Sequence, residues 1–178
     1  MTSIDITTLD SGQPGISPQA GAFMRQAAAV CMAHHHDASP VVLCIEGDCV
    51  STLTIDWDSP DEQAKRTWRD MEEATEWGAT GIAVLVIDTM TNLSVLERSV
   101  KGGGFDYWLG ESSDDSPLFQ QKIRLEVSGI LSGRDADVRK RSKEKVVRLE
   151  NYGNLGPAIV IVTEFGHPKS RFSELWIQ

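Results

Sequence analysis

Pro157 to Phe165 reads PAIVIVTEF, a near-continuous run of β-branched and apolar residues. A strand with one face in water alternates, whereas a run like this one suits a strand covered on both faces, the situation of parallel pairing closed by a crossover helix. The preceding segment supplies such a helix. Ala136 to Glu150 sets Val138, Ser142, Val146 and Leu149 on one stripe, with its bases elsewhere. Before it, Ile123 to Ile130 alternates: Ile123, Leu125 and Val127 point one way, Arg124, Glu126 and Ser128 the other. Strand, amphipathic helix and buried strand in that order predict an α/β fold with a mixed sheet.

The remaining segments fill in around this unit. Ser59-Pro60-Asp61-Glu62 has the form of a capping box, and Ala64, Trp68, Met71 and Thr75 continue a helix to Gly78. Gly81 to Ile87 (GIAVLVI) reads as a buried strand closed by Asp88, joined by a tight turn over Thr89 to Asn92 to a second strand, Leu93 to Val100. Lys101-Gly102-Gly103-Gly104 breaks the pattern, Phe105 to Leu109 is a short aromatic segment, and Gly110 to Pro117 reads as an acidic loop. Upstream, Ala20 to His36 reads as a helix, and Val41 to Ile45 with Val50 to Trp57 as a hairpin about Glu46-Gly47-Asp48. A length of 178 residues fits a single core. The expected organisation is a flexible N-terminal arm (1–18) and one α/β domain (19–178), made of a helix-plus-hairpin extension (19–58), a core (59–165) and a polar tail (166–178) anchored by Phe172 and Trp176.

The formal net charge of −9 counts against a protein that coats nucleic acid by bulk electrostatics. The bases are nonetheless concentrated: Arg134 to Arg148 carries seven against three acids. Three cysteines make no even disulfide framework and read as small core hydrophobes, which points to the reducing cytoplasm. No window approaches the roughly 18 apolar residues of a membrane span, and the N-terminus lacks the basic-then-apolar form of a secretory signal.

Two acids stand out. Asp106 follows the triple glycine at the end of the second strand, and Glu126 lies in mid-strand, where a carboxylate costs free energy unless it is paired or metal-bound. Acids on neighbouring strands, about 4.8 Å apart, can share a hard cation, which could bind a phosphate and lower the pKa of an attacking water. Glu76 sits near a helix C-terminus, where the macrodipole disfavours it by about 0.3–1 kcal/mol unless something compensates. Each has a plainer reading: Asp106 as a turn cap, Glu126 as a structural acid with Arg124 pairing to a neighbour of it, Glu76 as a solvated carboxylate beside Glu72 and Glu73. His34-His35-His36 cannot chelate compactly, because successive helical residues point about 100° apart. They read instead as bases complementing a helix C-terminus. Ser128, His167 and Asp106 lack the G-x-S-x-G elbow of a serine hydrolase.

From Ser59 to Phe165, this element order with Asp106 and the triplet Glu126-Val127-Ser128 resembles the PD-(D/E)xK nuclease superfamily, whose restriction-endonuclease-like αβββαβ core carries an Asp on the second strand and Glu-x-Lys on the third. The resemblance implies Mg²⁺ or Mn²⁺ held by Asp106 and Glu126, with Glu76 or Glu73 as a further ligand, and phosphodiester hydrolysis of nucleic acid, DNA ranking ahead of RNA. It also implies that the basic helix faces nucleic acid through Arg139, Lys140 and Lys143. The chain departs from the family at Ser128, where the lysine is expected. A hydroxyl cannot supply that positive charge, so another base must reach the site. Lys101, Lys122, Arg124 and Lys145 are the candidates, and Lys101, on its glycine-hinged loop, ranks first as catalytic partner of Asp106 and Glu126. The resemblance also suggests a larger protein partner or a homo-oligomer. The alternative is a catalytically inactive accessory protein or acidic inhibitor that keeps the scaffold.

Overall fold

A computed structural model describes residues 2–111, 122–152 and 156–176. Its elements in chain order are β1 (Thr2–Asp5), a 3-10 turn (Ile6–Ser11), α1 (Pro18–His35), β2 (Val41–Gly47), β3 (Ser51–Asp56), α2 (Glu62–Thr67), α3 (Met71–Met90), β4 (Leu93–Arg98), β5 (Tyr107–Glu111), β6 (Ile123–Ile130), α4 (Asp135–Asn151), β7 (Ala158–Glu164) and β8 (Lys169–Leu175). The fold is α/β, built on a mixed eight-stranded sheet of order β1-β3-β2-β8-β7-β6-β5-β4.

The strand-helix-strand unit stands as expected. β6 and β7 pair in parallel, with Glu126 opposite Val160, and α4 crosses between them. Val138, Ser142 and Leu149 of α4 are buried, and Val138 and Leu149 pack with Phe105, Ala158, Val160 and Val162. The larger core fills the opposite face of the sheet beneath α1 and α3, and Leu125, Val127, Ile159 and Ile161 point into it. The hairpin also forms, Val41 opposite Ile55.

Gly81 to Ile87 is not a strand but the second half of α3. Ile82, Ala83, Val84, Leu85, Val86 and Ile87 are all buried, and a helix covered on every side has the same continuous apolar sequence as a covered strand. The segment packs closely on α1: a Cβ on Gly81 would lie 3.2 Å from Met24 Cβ. The helix expected from Ser59 to Gly78 is interrupted. Asp61, not Ser59, caps the short α2, and Asp70 restarts the chain as α3 by accepting from the N–H groups of Glu72 (3.0 Å) and Glu73 (3.4 Å).

Three segments read as irregular are strands or anchors. The aromatic segment is β5, antiparallel to both β4 and β6, so three consecutive strands form a meander. Asp106 therefore immediately precedes a strand. The C-terminal tail supplies β8, which pairs antiparallel with β7 and parallel with β2 and joins the hairpin to the main sheet. The N-terminal residues expected as an arm form β1 and the 3-10 turn, fastened by buried Ile4, Ile6, Leu9 and Ile16. Gln13 and Gly15 then cover the edge of β4 by bonding Val95 N–H and C=O. The acidic stretch begins inside β5 at Gly110 and Glu111, and residues 112–117 lie outside the described residues. Of the cysteines only Cys31 is buried, its thiol pushed up to about 12 by that burial, while Cys44 is exposed on β2.

Candidate functional site

The meander brings the two acids together. Asp106 N–H donates to Leu125 C=O (2.9 Å), and its carboxylate accepts from Val127 N–H (2.8 Å), so Asp106 grips β6 on both sides of Glu126. Positive φ values at Gly102 and Gly104 turn the chain back from β4 to make this approach. Glu126 is only 3% exposed, on the β6 face covered by α4. Burial, and next the nearby Asp106 carboxylate, raise its pKa, against the pull of Lys145 and Arg148. The two carboxylates thus lie within electrostatic reach of one another.

The base that reaches them comes from α4. Lys145 Nζ lies 2.6 Å from Glu126 Oε1, and Arg148 Nη1 lies 3.9 Å from the same oxygen. One turn earlier, Arg141 Nη1 donates to Ser128 Oγ at 3.1 Å, setting a guanidinium over the position where the resemblance expects lysine. Arg141, Lys145 and Arg148 fall at i, i+4 and i+7, one stripe of the helix. That spacing was present in the sequence, whereas Arg139, Lys140 and Lys143 occupy another side. Those three are exposed and line neither cavity described below. Arg139 instead acts on Asp135, whose carboxyl is held below the ordinary range chiefly by its hydrogen bond and ion pair with Lys169.

Of the other lysine replacements, Arg124 is buried and donates to Gly156 C=O (2.8 Å), away from the acids, while Lys122 pairs with Glu97 at 3.3 Å. Lys101 is exposed on its loop.

Two cavities flank Asp106. The first, about 630 Å³, lies between α3 and the α4 stripe and is lined by Glu76, Trp77, Arg98, Asp106, Arg141 and Lys145 among others. The second, about 530 Å³, is lined by Lys101, Arg98, Asp106, Glu126, Lys145 and Arg148. Arg98, Asp106 and Lys145 belong to both.

Comparison with protein-family models, with curated proteins and with solved structures gives no match to this chain.

Asp106 Oδ1 and Glu126 Oε2 make no hydrogen bond among the described residues, so each carboxylate keeps one oxygen for a ligand. No group of three or more His, Cys, Asp or Glu side chains is arranged to hold a metal ion among the described residues; Glu76 lines the first cavity together with Asp106. A donor set of two carboxylate oxygens suits a small hard cation that keeps several waters and completes its shell with substrate phosphate. Among the described residues no helix is long and apolar enough to cross a membrane.

Proposed function

We propose that the chain is a metal-dependent nuclease, hydrolysing phosphodiester bonds at Asp106 and Glu126 with Mg²⁺ or Mn²⁺. The observation that carries the reading is the convergence, on one point of β6, of a buried glutamate, a second carboxylate and a lysine ammonium 2.6 Å away. The succession α3-β4-β5-β6-α4-β7 supports it, because it sets an acid immediately before the second strand and another in mid-strand of the third, close to the placement that the PD-(D/E)xK resemblance implies.

In this reading Asp106 and Glu126 supply the oxygens that hold the cation, which when bound draws in a phosphate and acidifies a water. Lys145 fills the role that Ser128 cannot. Its ammonium has three donors; released from Glu126 it can turn to a phosphoryl oxygen and offset the charge that builds there. Arg141, anchored on Ser128, adds a second fixed positive charge to the same wall. A protein carrying −9 overall would present such a substrate with a local rather than a global attraction, which fits action alongside a larger protein or as a homo-oligomer.

A second reading, an inactive accessory protein or acidic inhibitor, is favoured by the Lys145–Glu126 ion pair, which already neutralises one of the two acids. The experiment is incubation with plasmid, single-stranded DNA and RNA in Mn²⁺ or EDTA. The nuclease reading expects metal-dependent cleavage that Asp106→Ala or Glu126→Ala abolishes and that Lys145→Met slows on the order of 10²–10³-fold. Absence of cleavage by the wild-type protein, together with tight binding to a cationic protein, would replace it with the accessory role.

A further inference from the structure

The first cavity has two unlike walls. On the α3 side Trp77 and Met71 offer apolar surface, with Glu72 and Glu76 beside them; on the other side stand Arg141 and Lys145, with Arg98 between. Trp77 is held in one orientation by the edge of Phe23, at 5.4 Å and 77°, and its ring carries the Arg98 guanidinium at 5.2 Å. At about 630 Å³ the space is of the size of pockets that take a single small ligand.

We propose that this cavity seats one unpaired nucleotide and that the protein acts on single-stranded nucleic acid, a specificity that rests on the nuclease reading for the position of the cut. Phosphate is excluded from the α3 wall by Glu72 and Glu76 and drawn to Arg141 and Lys145. The base then lies on Trp77, taking the place of the exposed Arg98 guanidinium, which turns to the backbone. The carboxylates beside it accept from the ring N–H and amino groups of its Watson–Crick edge, which a paired base has already used. A base within a duplex has both faces stacked and its pairing edge occupied, so it can offer neither to this wall. Because Arg98, Asp106 and Lys145 also line the second cavity, a strand leaving the first passes directly over the two acids. The next nucleotide then lies beside Lys101 and Arg148.

The test is fluorescence anisotropy in EDTA, with no metal and no cleavage, using a labelled eight-nucleotide single strand of DNA, the RNA of the same sequence, and the blunt DNA duplex. Binding of single strands at least tenfold tighter than duplex is expected. Trp77→Ala should lose roughly 5- to 100-fold for single strands, and Trp77→Phe much less, since every aromatic face stacks. Duplex binding should change little in either variant. If Trp77→Ala fails to fold, as circular dichroism would show, Arg98→Met at an exposed position serves instead and should also weaken single-strand binding selectively. Equal affinity for single strand and duplex, or a folded variant that binds as the wild type does, overturns the proposal. The two readings fail separately: single-strand binding without metal-dependent cleavage removes the nuclease and leaves this pocket, whereas duplex cleaved as readily as single strand removes the pocket's role and leaves the nuclease.

Discussion

β6 and β7 lie side by side in the interior of the sheet, and each buries one glutamate, yet the two are treated in opposite ways. Glu164, at the end of β7, is fully buried and accepts three backbone N–H groups: Gly133 (3.1 Å) and Gly166 (2.8 Å) at Oε1, and His167 (2.7 Å) at Oε2. It ties the β6–α4 loop to the β7–β8 turn with partners that cannot leave. Glu126 is held by two side chains that can leave, stands beside a second carboxylate and opens onto a cavity. A buried carboxylate surrounded by backbone donors is part of the architecture, whereas one surrounded by mobile charges is poised to exchange them. Partner type, not burial, separates the two.

Removing each carboxylate sharpens that difference most. Glu164→Ala leaves three N–H donors without an acceptor, at about 1–3 kcal/mol for each that water does not reach, so a loss of about 3–5 kcal/mol is expected in urea unfolding. Glu126→Gln keeps an acceptor for Lys145, whose partly exposed ammonium still reaches water, and removes the repulsion from Asp106, so a smaller loss than for Glu164→Ala is expected. A Glu164→Ala variant as stable as wild type would break the comparison outright.

The sequence made Glu126 conspicuous and Glu164 nearly invisible, for a physical reason. Glu126 stands in mid-strand on the polar face of an alternating run, so its place can be read locally, whereas the donors that satisfy Glu164 come from turns, which no pattern within PAIVIVTEF announces. The same distinction runs through the fold. α4 and β7 were legible because periodicity and continuous apolarity are local, but GIAVLVI was not, since the cover over its first residue, Gly81, is contributed by Leu9 and by Met24 of α1, far away in sequence. β8 looked like a polar tail because only alternate residues, Ser170 and Phe172, are buried. At the site, the acids could be named from position in their strands. Lys145 could be counted among the candidate bases but not ranked ahead of Lys101, because it meets Glu126 only when the crossover helix folds back over the sheet.

Divalent cations give a smaller and more specific contrast. If Mg²⁺ takes the free oxygens of Asp106 and Glu126, the folded state gains about 1.4 kcal/mol when Mg²⁺ stands at ten times its Kd, seen as a rise in Tm. Glu126→Gln and Asp106→Asn should each abolish the rise, and Glu164→Gln, if folded, should retain it. A rise of equal size in all of these variants would place the cation elsewhere.

The smallest effect is a slope with pH. Because burial and Asp106 raise the pKa of Glu126, the folded chain binds this proton at pH values where the unfolded chain has released it. The stability contributed by this group is therefore fully present below the ordinary glutamate value, about 4.3, and is lost as pH rises through the higher folded value. Wild-type stability minus that of Glu126→Gln should fall across that window. The subtraction removes background from groups such as His35, whose pKa is lowered by burial and the neighbouring His34 and which changes stability with the opposite slope. Asp106→Asn removes a like charge and should move the window down towards the ordinary value, whereas Lys145→Met removes the principal counter-charge and should move it up. A carboxyl resonance of Glu126 followed by NMR gives both shifts directly. If neither variant moves that titration, Asp106 and Lys145 do not act on Glu126, and the poised character assigned to it against Glu164 is lost.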